Sequence, residues 1–143
     1  MPYKINKIDV HAGDIMNRPG MLARVLEALA AAGADLEFVI ARQVSENTSR
    51  VFVAPLSNKK VVRAAADVGL RRAVGLYALR IEGPDKPGLG ARITRAIADA
   101  GLNIRGLSAA SPGKSNVCYI AFAHADEVAR ATKALKKLLA GRR

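Results

Sequence analysis

The chain has 143 residues, of which 50% are hydrophobic and 24% are charged, and its formal net charge is +11. This composition excludes global disorder, and the length suits one domain or two small ones. No apolar run approaches the roughly 18 to 20 residues of a membrane-spanning helix, and the first residues lack the apolar segment of a signal peptide, so we expect a cytoplasmic protein without membrane contacts. The single cysteine, Cys118, excludes a disulfide framework and a cysteine-cluster metal site.

The predicted elements begin with a short alternating strand that contains Ile8, Val10 and Ala12. A helix opened by Pro19 follows, because a proline fits the first helical turn, where its missing N–H would be unpaired anyway. Gly33 closes this helix as a left-handed cap. The remaining elements of the first half are strands at 36–44 and 50–54, a helix at 58–68 and a short strand at 70–74.

The second half repeats this order of elements. Its first strand contains Tyr77, Leu79 and Ile81, and its first helix is opened by Pro87 and closed by Gly101. Strands at 104–110 and 117–123 and a helix at 126–139 follow. Only residues 139–143 are left for the last strand, so one sheet edge is incomplete. An open edge favours pairing with another chain, with the N-terminal segment or with the other half of this chain.

The two halves are copies of one unit. At an offset of 68, residues 17–36 lie over residues 85–104 with eight of twenty positions identical, including both residues of a Pro-Gly pair and the glycine that closes the helix. Each copy therefore has the order β-α-β-β-α-β. Right-handed crossovers give an α+β, ferredoxin-like antiparallel sheet with both helices on one face. We expect two such modules in tandem, at residues 1–75 and 76–143, with the last strand of the second one truncated.

The repeated surface feature is a loop of the form Asn/Asp-x-Pro-Gly between the first strand and the first helix. Asn17 and Asp85 can turn the chain back through a side-chain bond to a following N–H. Gly20 and Gly88 leave the first helical turn uncovered, and its free N–H groups favour a carboxylate or phosphate. With Asp35 or Asn103 at the next strand, the loop can hold the carboxylate and ammonium groups of a free amino acid. The alternative is structural: Pro-Gly only starts the helix and the Asn or Asp only caps it.

Residues 17–22 (NRPGML) and 85–90 (DKPGLG) resemble the D/N-x-P-G-x-L signature of ACT domains, and AGADL and AGLNI resemble the A-G-x-N-I segment of that family. The resemblance covers nearly the whole chain as two tandem copies. It implies βαββαβ regulatory modules that bind amino acids, commonly between two modules. The ligand contacts that it implies are Asn17, Gly20, Met21, Leu22, Asp35 and Leu36 in one copy, and Asp85, Gly88, Leu89, Gly90, Asn103 and Ile104 in the other.

Both copies depart from the family pattern. The first has an extra loop residue and Asp35 where Asn is usual, and the second has Gly90 where Leu is usual. These departures leave open which site binds a ligand. No attached catalytic domain is evident, and neither is a motif particular to the regulatory subunits of aspartokinase or acetolactate synthase. The resemblance implies a stand-alone, non-catalytic sensor that acts on a partner enzyme, and we expect no cofactor or metal. The incomplete sheet edge predicts a homo-oligomer, with a dimer favoured.

Three other classes of function were weighed against the sensor. An enzyme is disfavoured because His11, His124 and Cys118 have no neighbours in sequence that make a triad or a metal set. An RNA-binding module has the same topology, but the third strands lack its aromatic signature, and the basic residues are scattered in pairs on separate elements. We therefore interpret Phe52, Tyr119 and Phe122 as packing residues. An adaptor that has lost its ligand and regulates a partner enzyme remains an alternative.

Overall fold

The computed structural model describes residues 2–140 and divides the chain into two compact units. Asp9–Val74 form the inserted unit, and the described residues before and after this segment form the split unit. In chain order, the strands are β1 (Lys4–Ile8), β2 (His11–Met16), β3 (Phe38–Gln43), β4 (Thr48–Ala54), β5 (Arg71–Arg72), β6 (Tyr77–Pro84), β7 (Gly106–Ala110) and β8 (Ser115–Phe122). The helices are α1 (Met21–Ala31), α2 (Lys59–Asp67), α3 (Leu89–Asp99) and α4 (Ala125–Ala140).

Each unit contains one four-stranded antiparallel sheet. The strand order is β3-β4-β2-β5 in the inserted unit and β1-β6-β8-β7 in the split unit. In both sheets the strand that precedes the Pro-Gly loop is central. In the inserted unit β2 lies between β4 and β5, and in the split unit β6 lies between β8 and β1. This is the ferredoxin-like order that the repeated β-α-β-β-α-β pattern predicts, and the predicted fold class is confirmed.

The N-terminal segment completes the sheet of the split unit. The predicted first strand, 8–12, is in fact interrupted, because β1 ends at Ile8 and β2 begins at His11. β1 pairs with β6 from Lys4 opposite Glu82 to Ile8 opposite Ala78. Of the three ways to close the open edge, the structure therefore shows pairing with the N-terminal segment. Unlike the predicted boundary at residue 75, this pairing places residues 2–8 in the split unit.

Tyr3 anchors this strand in the core of the split unit. Its side chain is 6% exposed, and its hydroxyl donates a hydrogen bond to the carbonyl oxygen of Pro84 at 2.8 Å. The ring lies directly over Gly83, where an added Cβ would come within 2.2 Å of it. Part of the predicted remainder for a last strand, Leu139 and Ala140, instead ends α4, and residues 141–143 lie outside the described residues.

The core of each unit lies between its sheet and its two helices. In the inserted unit, alternate residues of β4, Val51 and Val53, meet Val25 and Leu29 of α1 and Val61 of α2. All five side chains are buried, and each contributes roughly 1.5 to 3 kcal/mol by leaving water. The split unit repeats this arrangement with the buried residues Leu79, Ile81, Leu89, Ile93, Ile97, Ile120, Phe122 and Leu135.

The prediction that proline opens the helices is wrong in both units. α1 begins at Met21 after Gly20, whose φ is +87°, and α3 begins at Leu89 after Gly88, whose φ is +82°. Proline followed by a glycine with positive φ is the sequence of a type II β-turn. The hydrogen bonds that close the turns are present, from the Met21 N–H to the Arg18 oxygen at 3.2 Å and from the Leu89 N–H to the Lys86 oxygen at 3.1 Å.

Candidate functional site

A type II turn followed by a helix occurs at the same place in both units. We call the two segments the inserted-unit turn (residues 17–22) and the split-unit turn (residues 85–90). Each follows a central strand of its sheet, β2 or β6, and each leads into the helix that covers that sheet. The glycines Gly20 and Gly88 are exposed, and nothing lies within 4 Å of a Cβ built on either. Glycine is therefore needed for the positive φ, and the space outside the turn is open.

In the inserted-unit turn, Asn17 binds the loop between β3 and β4. Its amide nitrogen donates to the Glu46 carbonyl at 3.1 Å, and its side-chain oxygen accepts from the Ser49 hydroxyl at 3.3 Å. Its backbone N–H donates to the Asn47 carbonyl at 2.9 Å. The predicted bond to a following N–H of the helix is not formed, and α1 has no side-chain cap. Both polar ends of the Asn17 side chain are thus engaged within the unit.

In the split-unit turn, Asp85 makes the corresponding contacts with only one of its carboxylate oxygens. Oδ1 accepts from the Ser111 hydroxyl at 3.1 Å and from the Asn116 amide at 3.5 Å. The Asp85 N–H donates to the Lys114 carbonyl at 2.8 Å. Among residues 2–140, no group donates a hydrogen bond to Oδ2. Asp85 is exposed, so its side chain is accessible from solvent.

The first helical turn offers fewer N–H groups than the sequence predicts. The N–H groups of Met21 and Leu89 are already used inside the β-turns. Those of Leu22 and Gly90 have no backbone acceptor within the described part of the chain, as is usual for the second residue of a helix. Leu22 packs partly against its unit's core, whereas a Cβ at Gly90 would meet nothing within 4 Å.

The residues predicted at the start of the next strand lie just before it. Asp35 and Asn103 are exposed, and β3 and β7 begin three residues after them. Leu36 and Ile104 are half-buried and pack against the cores of their units. In the part of the chain that the structure describes, no hydrogen bond connects Asp35 with Asn17 or Asn103 with Asp85. A ligand contact by these residues thus remains a prediction.

One ion pair lies near the inserted-unit turn. Arg50 donates to both carboxylate oxygens of Asp14, at 2.7 and 3.2 Å, across β2 and β4. These hydrogen bonds hold the pKa of the Asp14 carboxyl below its ordinary value. Asp14 lies three residues before Asn17, so the pair is close to the turn in sequence, and it neutralises one of the basic residues counted in the net charge.

The sheet face of the split unit carries a second polar cluster. Arg80 donates to Glu82 at 2.8 Å and to the Tyr119 hydroxyl at 3.3 Å, and its guanidinium lies 5.9 Å from the centre of the Tyr119 ring. The Arg80 contact lowers the pKa of the Glu82 carboxyl, and Lys4 adds a smaller effect in the same direction. Tyr119 is thus held by a neighbour on its own sheet, which differs from an aromatic residue free to stack on a base.

The residues weighed for catalysis are dispersed. Cys118 is 2% exposed, and burial raises the pKa of its thiol to about 11, so it is protonated at neutral pH. His11 is buried in the inserted unit, and His124 is exposed next to α4 in the split unit. Within residues 2–140, no three His, Cys, Asp or Glu side chains are grouped to hold a metal ion. None of the helices in this range has the length and apolarity to cross a membrane.

Two surface depressions lie elsewhere. One runs along α2 and includes Leu56, Lys59 and Arg63, and the other runs along α3 and includes Arg92 and Leu138. Neither contains a predicted ligand contact. The inserted-unit turn and the split-unit turn thus lie outside both depressions. Neither depression would enclose a ligand that binds at one of the turns.

Residues 77–140 match the model of the ACT domain family. Over this segment the chain is similar to the ACT domain family. The match runs from the start of β6 to the end of α4 and includes the split-unit turn, so the family resemblance predicted from DKPGLG is confirmed for this segment. The inserted unit repeats the same topology with its own Pro-Gly turn. No curated protein matches the sequence of the chain.

Solved structures are similar to the chain as a whole. A protein from Bacteroides thetaiotaomicron has a TM-score of 0.78 and 16% identity, covering 92% of this chain and 90% of that one. The ligand-free regulatory subunit of aspartate kinase from Thermus thermophilus has a TM-score of 0.70 and 17% identity over 97% of both chains. Aspartokinase III of E. coli in complex with lysine and aspartate has a TM-score of 0.57 and 16% identity over 96% of this chain and 32% of that enzyme. At such identities the likeness shows a shared tandem fold.

Proposed function

We propose that this protein is a non-catalytic regulatory protein that binds a free amino acid, or a similar small carboxylate, at the split-unit turn. The ACT match spans that turn, and ACT modules are regulatory. Two of the structural neighbours suggest which amino acids to test. One is a regulatory subunit of aspartate kinase, and the other is an aspartokinase in complex with lysine and aspartate. We therefore propose amino acids of this group as the first ligands to test and an amino-acid-metabolising enzyme as the partner.

The observation that carries the proposal is the free oxygen of Asp85. The ammonium group of an amino acid needs an acceptor, and a charge-assisted hydrogen bond to a carboxylate is about twice as strong as one to a neutral group. Oδ1 of Asp85 is held by Ser111 and Asn116, so the carboxylate is oriented while Oδ2 stays available. The unpaired N–H of Gly90 at the start of α3 suits the carboxylate of the same ligand.

The two turns differ in a way that favours one site. Asn17 is neutral, and both ends of its side chain are occupied, one by Glu46 of the loop between β3 and β4 and the other by Ser49 of β4. The inserted unit has Leu22, which packs partly against its core, at the position where the split unit has Gly90 with open space around it. We propose that the inserted-unit turn is structural and that Asp85, Gly88, Leu89, Gly90, Asn103 and Ile104 make the ligand contacts. In this proposal no ligand contact is made by Asn17, Gly20, Met21, Leu22, Asp35 and Leu36.

A second copy of the chain is part of the proposal. The split-unit turn is open to solvent in the described chain, and a small ligand binds tightly only where most of its surface is covered. A homodimer in which a neighbouring module closes over the turn would supply that cover. Ligand would then favour the dimer arrangement that it fits best, by its difference in affinity between arrangements. This is how binding would reach a partner enzyme.

A thermal-shift screen of the purified protein against the common amino acids tests the proposal. A ligand at about 100 times its dissociation constant adds roughly 2.7 kcal/mol to stability if it binds only the native state. We expect one amino acid to raise the midpoint, Asp85→Asn to abolish the shift, and Asn17→Ala to retain it. Asp99→Asn, which changes an exposed aspartate on α3, is the matched control and should also retain it.

The second candidate function is an adaptor without a ligand. Asn17 supports it, because the signature residue of the inserted unit already has structural partners at both ends. No shift with any amino acid, together with an unchanged midpoint in Asp85→Asn, would favour the adaptor. A shift with RNA that disappears at high salt would instead favour polyanion binding.

A further inference from the structure

The chain enters and leaves the inserted unit through one short paired segment, which we call the neck (residues 9–11 and 71–74). The unit begins at Asp9 and ends at Val74, so the two passages of the chain to the split unit both adjoin the neck. The closing strand β5 has only two residues, paired with His11 and Ala12 of β2. The neck is therefore the place where the inserted unit is closed with the least backbone pairing.

Two further contacts hold the neck. The N–H of Ala73 donates to the Val10 carbonyl at 2.9 Å, and Arg72 forms a 2.7 Å ion pair with Asp9. The side chains of that ion pair are 67% and 62% exposed, and exposed ion pairs contribute little to stability. The contacts described for the neck are thus a few backbone hydrogen bonds and one exposed ion pair. A side chain buried at the neck can therefore affect whether the neck stays closed.

His11 is the polar residue buried at the neck. It lies in β2 between Val53 of β4 and Arg72 of β5, and only 8% of its surface is exposed. Its Nδ1 atom is buried and has no hydrogen-bond partner among the described residues. A neutral ring tolerates this position with Nδ1 unprotonated. A protonated ring would bury a charge and an N–H donor without an acceptor, which is much more costly.

The charged groups around His11 act in opposite directions. Asp9, from the entering segment, favours the protonated ring, and Arg72, from β5, opposes it. The residue opposite on β4 is Val53, which carries no charge. Burial has the largest effect, followed by Arg72, and together they hold the pKa of His11 below its ordinary value of 6.5.

We propose that His11 is a pH-sensitive lock on the neck: the neutral ring keeps β5 paired with β2, and protonation opens this pairing. The open neck exposes the imidazole to water, so it binds a proton more readily than the closed neck. Closure is therefore fully stabilised above the ordinary pKa of histidine and is lost as the pH falls through 6.5 towards the lower folded value. Acidification would free the exit of the inserted unit before the unit as a whole unfolds.

Histidine NMR tests the lock directly, because the chain has two histidines, one in each unit. We expect His11 to titrate below its ordinary value of 6.5 and to have Nδ1 unprotonated at neutral pH. The readout of the neck is hydrogen exchange at the Ala73 amide, corrected for its intrinsic pH dependence. Its protection should fall about tenfold for each pH unit by which the titration of His11 lies below 6.5.

Variants separate His11 from other titrating groups. His11→Gln should make Ala73 protection independent of pH between 5 and 7.5, and His124→Gln, the matched control, should leave the dependence as in the wild type. If His11→Gln does not fold, His11→Asn and the wild-type titration carry the test. The proposal is overturned if His11 titrates at or above 6.5, if Ala73 protection does not change with pH, or if the change persists without His11.

Discussion

Removing the Tyr3 side chain should destabilise the split unit, although Tyr3 lies at the opposite end of the sequence from most of that unit. The ring is 6% exposed and packs in the core cluster that contains Leu79 and Ile81. Truncating a buried aromatic residue to alanine costs about 3 to 5 kcal/mol, and part of this cost in Tyr3→Ala is the lost hydrogen bond to Pro84. Tyr3→Phe, which removes only that bond, should cost about 1 kcal/mol.

Such a loss is a large share of the stability of a small domain, which is about 5 to 15 kcal/mol in total. For a unit of this size, about 3 kcal/mol lowers the melting midpoint by at least about 12 °C. The chain has no tryptophan, and its three tyrosines, Tyr3, Tyr77 and Tyr119, all belong to the split unit. Tyrosine fluorescence in a urea titration therefore reports on that unit alone, while circular dichroism reports on both.

Tyr77→Ala is the matched control, since Tyr77 is 39% exposed and lies on β6 of the same unit. It should cost about 1 kcal/mol or less. Gly83→Ala provides an independent perturbation, because its Cβ would collide with the Tyr3 ring. Equal small losses in Tyr3→Ala and Tyr77→Ala would refute the claim that the N-terminal strand closes the split unit.

Two further predictions follow from single contacts. Asn58 caps α2 by accepting a hydrogen bond from the Val61 N–H at 3.0 Å, so Asn58→Ala should lower the stability of the inserted unit by about 1 kcal/mol in a denaturation curve followed by circular dichroism, and Ser57→Ala should change it little. Cys118 is buried with its thiol pKa raised to about 11, so a thiol reagent at pH 8 should modify the native protein many times more slowly than the urea-unfolded chain, and equal rates would contradict the burial.

Much of the fold could be predicted from the repeat. Matched Pro-Gly pairs and closing glycines at an offset of 68 fixed the element order in both halves, and Gly33 and Gly101 do have positive φ. The strands were predictable because Val, Ile, Tyr and Phe alternate along them. The pairing of β1 with the open edge of the split unit could not be predicted. Another chain, the N-terminal segment and the other half of this chain could each pair with that edge, and the sequence alone does not favour one of them.

The helix starts show where local reasoning chose the wrong rule. Proline is common in the first turn of a helix, but Pro followed by Gly is also the signature of a type II turn, and the positive φ of Gly20 and Gly88 decides for the turn. The dipeptide itself was the signal that could have placed α1 and α3 correctly. The turns also use the N–H groups of Met21 and Leu89, which the sequence suggested were free.

The inequality of the two turns could be predicted only in part. The exchange of Asn17 for Asp85 and of Leu22 for Gly90 is visible in the sequence. That both ends of Asn17 are occupied by the next hairpin, while Asp85 keeps one free oxygen, depends on side chains brought together from residues about 30 positions apart. Such contacts follow from the tertiary fold and cannot be predicted from a local sequence pattern.

The most direct test of the ligand proposal is a two-dimensional NMR titration of the labelled protein with single amino acids, beginning with lysine and aspartate. The account predicts that one of them shifts the backbone amides of residues 85–90 in a saturable way, and that the amides of residues 17–22 move little. Asp85→Asn should remove those shifts while Asp99→Asn keeps them. Amide shifts that saturate only at residues 17–22, or none at residues 85–90 with any amino acid, would contradict the claim that the split-unit turn is the binding site.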